Sequence, residues 1–141
     1  MGSQRASSKD RIEVAAGLVF RDHKLLITQR PLGSHLAGMW EFPGGKREAA
    51  ETFEACLERE LAEELGIVVR VEQLVETIAH DYPEKSVLLQ FYRCRWMNNE
   101  PRAIGCADYR WISREEISQF QFPPADTRLL ESLAENSALW E

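Results

Sequence analysis

The stretch from Thr52 to Gly66 constrains the fold more than any other part of the chain. Phe53, Leu57, Leu61 and Leu65 recur every fourth residue, which lines one face of an α-helix with apolar side chains. Thr52 stands where an N-cap hydroxyl is wanted, and Gly66 where a helix turns left-handed at its end. A helix with one apolar face needs something to cover that face. The flanking segments supply a sheet. Ile12–Phe20 and Lys24–Gln29 are β-branched and aliphatic runs split by the polar turn Arg21-Asp22-His23, which predicts a hairpin. Pro31–Gly38 reads as a loop, and Met39–Phe42 as a short strand that breaks at Pro43-Gly44-Gly45. After the helix, Ile67–Ala79 and Ser86–Trp96 read as strands joined through Asp81-Tyr82-Pro83-Glu84. A short strand near Tyr109–Ile112 follows, then helices around Arg114–Phe120 and Pro124–Leu133. This pattern predicts the α/β class, a mixed sheet flanked by helices.

A chain of 141 residues with no internal repeat or linker favours one domain, placed at residues 11–141. Met1–Asp10 is small and polar and is expected to be a disordered lead-in, neither signal peptide nor anchor. Apolar runs such as Val14–Phe20 fall short of the ~20 residues a membrane helix needs, so no membrane partner is expected. Twenty-three acidic residues against 17 basic ones leave a net charge of −6, the wrong sign for gripping a nucleic-acid polymer. Cys56, Cys94 and Cys106 are odd in number and widely spaced, which excludes a disulfide framework and a C-x-x-C metal site and fits a reducing, cytoplasmic setting. The three histidines are equally scattered, so no zinc set is legible.

The second face of the 52–66 helix carries the chemistry. At about 100° per residue, Glu60, Glu63 and Glu64 fall within an arc of roughly 100°. Glu60 and Glu64 repel as an i,i+4 pair, and the helix dipole disfavours anions in this C-terminal half. Such a face is either a solvated acidic surface or a set of hard oxygen donors held for a divalent cation. The surrounding spacing decides between them. Gly45-x5-Glu51-x7-Arg59-Glu60-Leu61-x-Glu63-Glu64-x-Gly66-Ile67 resembles the signature of the Nudix hydrolase family at every defined position. Chance would produce it in a chain of this size with probability on the order of 10⁻⁷. The resemblance to the MutT-like branch runs from about Ile12 to Leu133 and includes Gln29-Arg30, Trp40-Glu41-Phe42-Pro43-Gly44-Gly45 and Phe122-Pro123-Pro124-Ala125.

The resemblance implies an α/β/α sandwich with a mixed β-sheet between helices, and hydrolysis of a nucleoside triphosphate to monophosphate and pyrophosphate. It implies Mg²⁺ as cofactor, with Mn²⁺ as the alternative. The foremost substrate expected is 8-oxo-dGTP, with CTP or dCTP as runner-up; a non-catalytic nucleotide-sensing domain and an acidic interaction module are the readings from other classes. Glu60, Glu63 and Glu64 would hold the metal, joined by the Gly44 carbonyl. Arg59 would clamp these carboxylates. A helical Glu51 would point about 180° away from Glu60, so it would serve the site only from the loop before Thr52, helping to position the attacking water. The general base stays open among Glu60, Glu51 and Asp108, because Gly105 stands where MutT-like proteins often carry a glutamate; Asp108 reads equally as a strand-edge residue. Arg30 and Lys46 are the cations expected near the phosphates, Lys46 reading also as a surface residue. His35 and Phe42 match positions lining the base pocket, although Phe42 is also a core residue by pattern. Asp126 matches a position where the bacterial 8-oxo-dGTP enzymes read the purine edge with asparagine, and reads alternatively as a helix-start aspartate favoured by the dipole. Monomer and homodimer stay open.

Overall fold

A computed structural model describes residues 10–141. The expected lead-in falls on residues 1–9, outside the described residues, whereas Asp10 already pairs with Lys85. The elements in chain order are strands β1 (Asp10–Arg21), β2 (Lys24–Gln29), β3 (Trp40–Glu41) and β4 (Gly44–Lys46), helix α1 (Phe53–Leu65), strands β5 (Val68–Asp81), β6 (Lys85–Asn98) and β7 (Asp108–Ile112), and helix α2 (Thr127–Glu135). Short 3₁₀ turns at Arg114–Gln119, Pro124–Asp126 and Ser137–Trp140 flank α2.

The sheet is mixed. Its main order is β3-β2-β1-β6-β5, with β4 paired to β1 and β7 to β2. The central β1–β6 pair is parallel and the others are antiparallel. β1 is apolar along much of its length because both its faces are covered. Ala16, Leu18 and Phe20 pack with Leu129 and Leu133 of α2, while Ala15 and Val19 pack with Leu57, Leu61 and Leu65 of α1. The two helices therefore sit on opposite faces of one sheet.

Local signals account for much of this. The Thr52 hydroxyl accepts from the Ala55 N–H at 3.0 Å, and Gly66 closes α1 at φ 72°. The buried stripe of α1 is Cys56, Leu57, Leu61 and Leu65, with Phe53 only half-buried. In the first hairpin, Asp22 and His23 both take positive φ, 52° and 64°, the backbone that a two-residue turn between twisted strands requires. Two expectations need correction. Arg114–Gln119 is a 3₁₀ turn instead of an α-helix, and the Pro43-Gly44-Gly45 break contains the start of β4, whose residues Gly44, Gly45 and Lys46 pair with Ala16, Ala15 and Val14. Glycine is needed there by close approach, since a Cβ on Gly44 would lie 2.8 Å from Ala16 Cα. The edge strand β5 shifts register against β6 between Val68 and Val69, Val71 and Gln73, and Leu74 and Glu76; such bulges twist an edge away from further pairing.

Candidate active site

Beside the C-terminal half of α1 the sheet opens into a cleft of about 390 Å³. Its apolar wall is Val14, Ala16, Phe42, Leu89 and Phe91; Gly44, Gly45, Glu64 and Gly105 line it as well, and Arg30, Glu41 and Asp126 bring charge. Phe42 serves both the core and the cleft. It is 6% exposed, meets Phe91 edge-on and stacks on Phe122.

Glu64 Oε1 is buried with no hydrogen-bond partner. Burial, with Glu41 and Glu60 nearby, pushes its pKa up to about 8 against the opposing charge of Arg30. An uncompensated carboxylate of this kind destabilises a fold. Glu60 lies one helical turn away against Gly45, where any Cβ would overlap its carboxyl group. The absent side chain of Gly45 is thus the space that Glu60 fills.

Arg59 organises the next layer. Its Nε and Nη2 donate to the two oxygens of Glu51 at 2.8 and 2.7 Å, and its Nη1 donates to Glu60 Oε2 at 2.9 Å and Glu63 Oε1 at 3.2 Å. These are the contacts that a clamp on the carboxylates requires. Glu51 lies in the loop before Thr52, as expected, but both its oxygens are taken by the Arg59 fork, and Oε1 also accepts from the Glu48 N–H. The Arg59 hydrogen bonds, helped by that N–H, hold its pKa down near 2. A carboxylate so committed is a poor base, and Glu51 does not line the cleft.

The other expected residues divide. Arg30 lines the cleft but is tied, its Nη1 donating to Glu41 Oε1 at 2.9 Å and its Nε to the His35 carbonyl at 2.6 Å. The His35 side chain is exposed and stays out of the cleft, as does that of Lys46, whose carbonyl accepts from Arg59 Nη2 at 3.2 Å. Asp108, 44% exposed, accepts from the Tyr109 N–H and pairs with Arg110; it is a strand-edge residue off the cleft. Asp126 precedes α2, yet its side chain caps nothing. It is buried in the cleft, and burial, with Glu41 nearby, raises its pKa to about 6.

Glu41 is the charged cleft residue that sequence reasoning missed. Its signal was a lone carboxylate inside the apolar Trp40-Glu41-Phe42 run, where a charge without a partner is costly; the partner is Arg30.

Among the described residues no three Asp, Glu, His or Cys side chains already converge as a metal cage. Glu60 and Glu63 are drawn onto Arg59, and Glu63 is 62% exposed. The donor set nevertheless suits a hard divalent cation: the orphaned buried oxygen of Glu64, the carboxylate of Glu60 in the Gly45 recess, and Gly44 beside them.

Replacing Arg59 by lysine keeps the charge but loses the fork that holds two oxygens of Glu51 and one each of Glu60 and Glu63. With the helix carboxylates misplaced, any turnover this cleft supports should fall by about tenfold or more, with little loss of Tm. Steady-state rates and a melting curve on Arg59→Lys check this, and a rate within about twofold of wild type would contradict the clamp.

A family model described as the NUDIX domain matches residues 15–132. The chain is 46% identical over 93 residues to the 8-oxo-dGTP diphosphatase of Proteus vulgaris, covering 65% of this chain and 83% of that protein. It is 38% identical over 121 residues to the CTP pyrophosphohydrolase of Escherichia coli, covering 86% and 90% of the two chains. The fold superposes on the solution structure of the E. coli ORF135 protein with a TM-score of 0.76 at 37% identity, covering 89% of each.

Proposed function

The chain belongs to the Nudix family and is a Nudix hydrolase, and from that premise we propose that it cleaves nucleoside triphosphates to a monophosphate and pyrophosphate, with 8-oxo-dGTP as its foremost substrate. The observation that carries the substrate reading is the buried Asp126 carboxylate, which lines the cleft instead of capping α2. Clearing an oxidised nucleotide from the precursor pool is the role that goes with this activity. Three unpaired thiols, two of them buried, support a reducing cytoplasmic setting, and no helix among the described residues is long and apolar enough to cross a membrane.

Glu60, Glu64 and the Gly44 carbonyl would hold Mg²⁺, or Mn²⁺ in its place, with Glu63 joining from the rim. A cation held there polarises a phosphoryl oxygen and offsets charge developing in the transition state. The remaining roles belong to the chain itself. Phe42, Leu89 and Phe91 give the base an apolar wall. Arg30, oriented by Glu41 and the His35 carbonyl, offers its remaining N–H groups to the phosphates. Arg59 holds Glu60 by one oxygen, leaving the other for the cation. Glu51 keeps Arg59 in place.

A CTP-hydrolysing reading has its own support. Ionised Asp126 only accepts hydrogen bonds, and Glu41 is a second acceptor beside the cleft, which suits a base edge that presents an exocyclic amine. Rates of pyrophosphate release across normal and oxidised triphosphates, with and without Mg²⁺, separate the readings. Cation-dependent turnover led by 8-oxo-dGTP supports the first, turnover led by CTP the second, and no turnover with intact nucleotide binding the sensing alternative.

Asp126→Asn tests the cleft in two ways. An amide both donates and accepts, so the ranking of kcat/KM among 8-oxo-dGTP, dGTP and CTP should shift by about tenfold, with the Mg²⁺ requirement little changed. Stability should respond as well. Because the folded-state pKa is raised from 3.8 to about 6, the native state binds more protons than the unfolded one between these values. The favourable contribution is complete below the unfolded pKa and is lost as pH rises through 6. Asp126→Asn should therefore match wild type at about pH 3 and exceed it by about 1–3 kcal/mol at pH 8. Denaturant titrations at the two pH values measure this, and an unchanged ranking together with no pH-dependent difference would leave Asp126 a mere helix-start residue.

A further inference from the structure

A buried carboxylate with no hydrogen bond on one oxygen has to be restrained by contacts along its stem, and the segment that follows β6 supplies them for Glu64. The last carbonyls of a helix lack partners within it. In α1 they are taken by residues 99–105: the Gly66 carbonyl accepts from Asn99 Nδ2 at 3.2 Å, the Leu65 carbonyl from the Arg102 N–H at 2.9 Å, and the Glu64 carbonyl from both the Ile104 and Gly105 N–H groups, at 3.2 and 3.0 Å. Arg102 lies over Gly66, where a Cβ would come within 3.0 Å of its Nη2, and puts a cation at the negative end of the helix dipole. The segment is anchored at both ends. Trp96 Nε1 donates to the Asn99 carbonyl at 2.7 Å, and the Ala107 N–H donates to the Gln29 carbonyl at 2.9 Å.

Gly105 is where this strap meets the reacting region. It lines the cleft, and a Cβ built on it would lie 3.3 Å from Glu64 Cγ and 3.4 Å from Glu64 Cα. Its backbone thus lies against the aliphatic stem of Glu64 while its N–H holds the carbonyl of the same residue. Main chain and side chain of Glu64 are restrained together, and a side chain at 105 would press on that stem.

We infer that Gly105, presented by the 99–105 strap, is a positioning residue that fixes the Glu64 carboxylate in the cleft. The inference rests on the reading of Glu64 as a cation-holding carboxylate in the hydrolysis proposed above. A methyl group at 105 has to push the Glu64 stem by a few tenths of an ångström, and a branched side chain has to push it further.

The test uses the whole protein with Gly105→Ala and Gly105→Val, each also made in a Glu64→Gln background. Expected are a fall in kcat of about threefold for Ala and about thirtyfold for Val, with nucleotide KM little changed. The rise in Tm on adding Mg²⁺ alone should shrink in the same order, while Tm without Mg²⁺ stays near wild type. Neither variant should lower activity or the Mg²⁺ shift further once Glu64 is glutamine. If Gly105→Val keeps both the wild-type kcat and the Mg²⁺ shift, or if its losses are equally large in the Glu64→Gln background, the positioning role is overturned. Should Gly105→Val not fold, Gly105→Ala carries the same comparison. A wild-type protein without Mg²⁺-dependent turnover would sink the proposed reaction, whereas the strap would still be read from the Mg²⁺ shift.

Discussion

Glu64→Gln should lower kcat by about a hundredfold or more and leave the protein at least as stable as wild type. A hundredfold corresponds to about 2.7 kcal/mol of lost transition-state stabilisation, within what a charge-bearing metal ligand contributes. The stability half of the expectation comes from the site itself. Glu64 Oε1 is buried without a partner, and burial, with Glu41 and Glu60 close by, lifts its pKa to about 8. The amide has nearly the same shape and is neutral at every pH, so the fold no longer bears the cost of burying or protonating a carboxylate and loses no hydrogen bond at that oxygen. Glu63→Gln is the informative contrast. Glu63 is 62% exposed and touches Arg59 alone among the described ion pairs, so its loss should reduce kcat by about tenfold. Turnover, melting curves and the Mg²⁺-induced rise in Tm on both variants check the ranking. Near-wild-type activity in Glu64→Gln, or a marked fall in its Tm, would contradict the assignment.

Gly44→Ala and Gly45→Ala should fail in opposite ways although the residues are adjacent. A Cβ on Gly44 would overlap the Ala15 carbonyl oxygen and lie 2.8 Å from Ala16 Cα. Backbone of a central strand has no room to yield, so β4 would have to leave β1. That should cost about 3 kcal/mol or more, a fall in Tm of roughly 6–12 °C for a domain of this size. A Cβ on Gly45 meets the Glu60 carboxyl group instead, and the end of a flexible side chain can swing aside. Gly45→Ala should therefore fold with a Tm close to wild type and lose turnover by about a hundredfold, because Glu60 is displaced. Thermal unfolding and rates measured on the pair decide this. A Gly44→Ala protein as stable as wild type would show that β4 is free to shift, and an active Gly45→Ala protein would remove Glu60 from the chemistry.

What could be read from the chain itself was what depends on sequence neighbours. The α1 period of apolar residues, its Thr52 cap and its Gly66 end are local, and they settle the helix without knowledge of the rest. The Gly45-to-Ile67 spacing depends only on the same helix and the loop before it, so the family and the candidate carboxylates were legible as well. Other questions joined segments far apart. Gly-Gly reads as a break until β1 comes alongside and pairs with it. Glu51 stays a candidate base until Arg59 folds over it and takes both oxygens. Asp126 has a local use as a cap and a distant use in the cleft, and the tertiary fold chose the distant one. Glu41 opposite Arg30, and Gly105 against Glu64, are neighbours only in space. Periodicity and capping are fixed by bonds within a few residues, whereas proton affinity, orphaned oxygens and the shape of a cleft are set by whatever the rest of the chain brings within a few ångströms, which is why tertiary structure alone decided how the carboxylates are partnered.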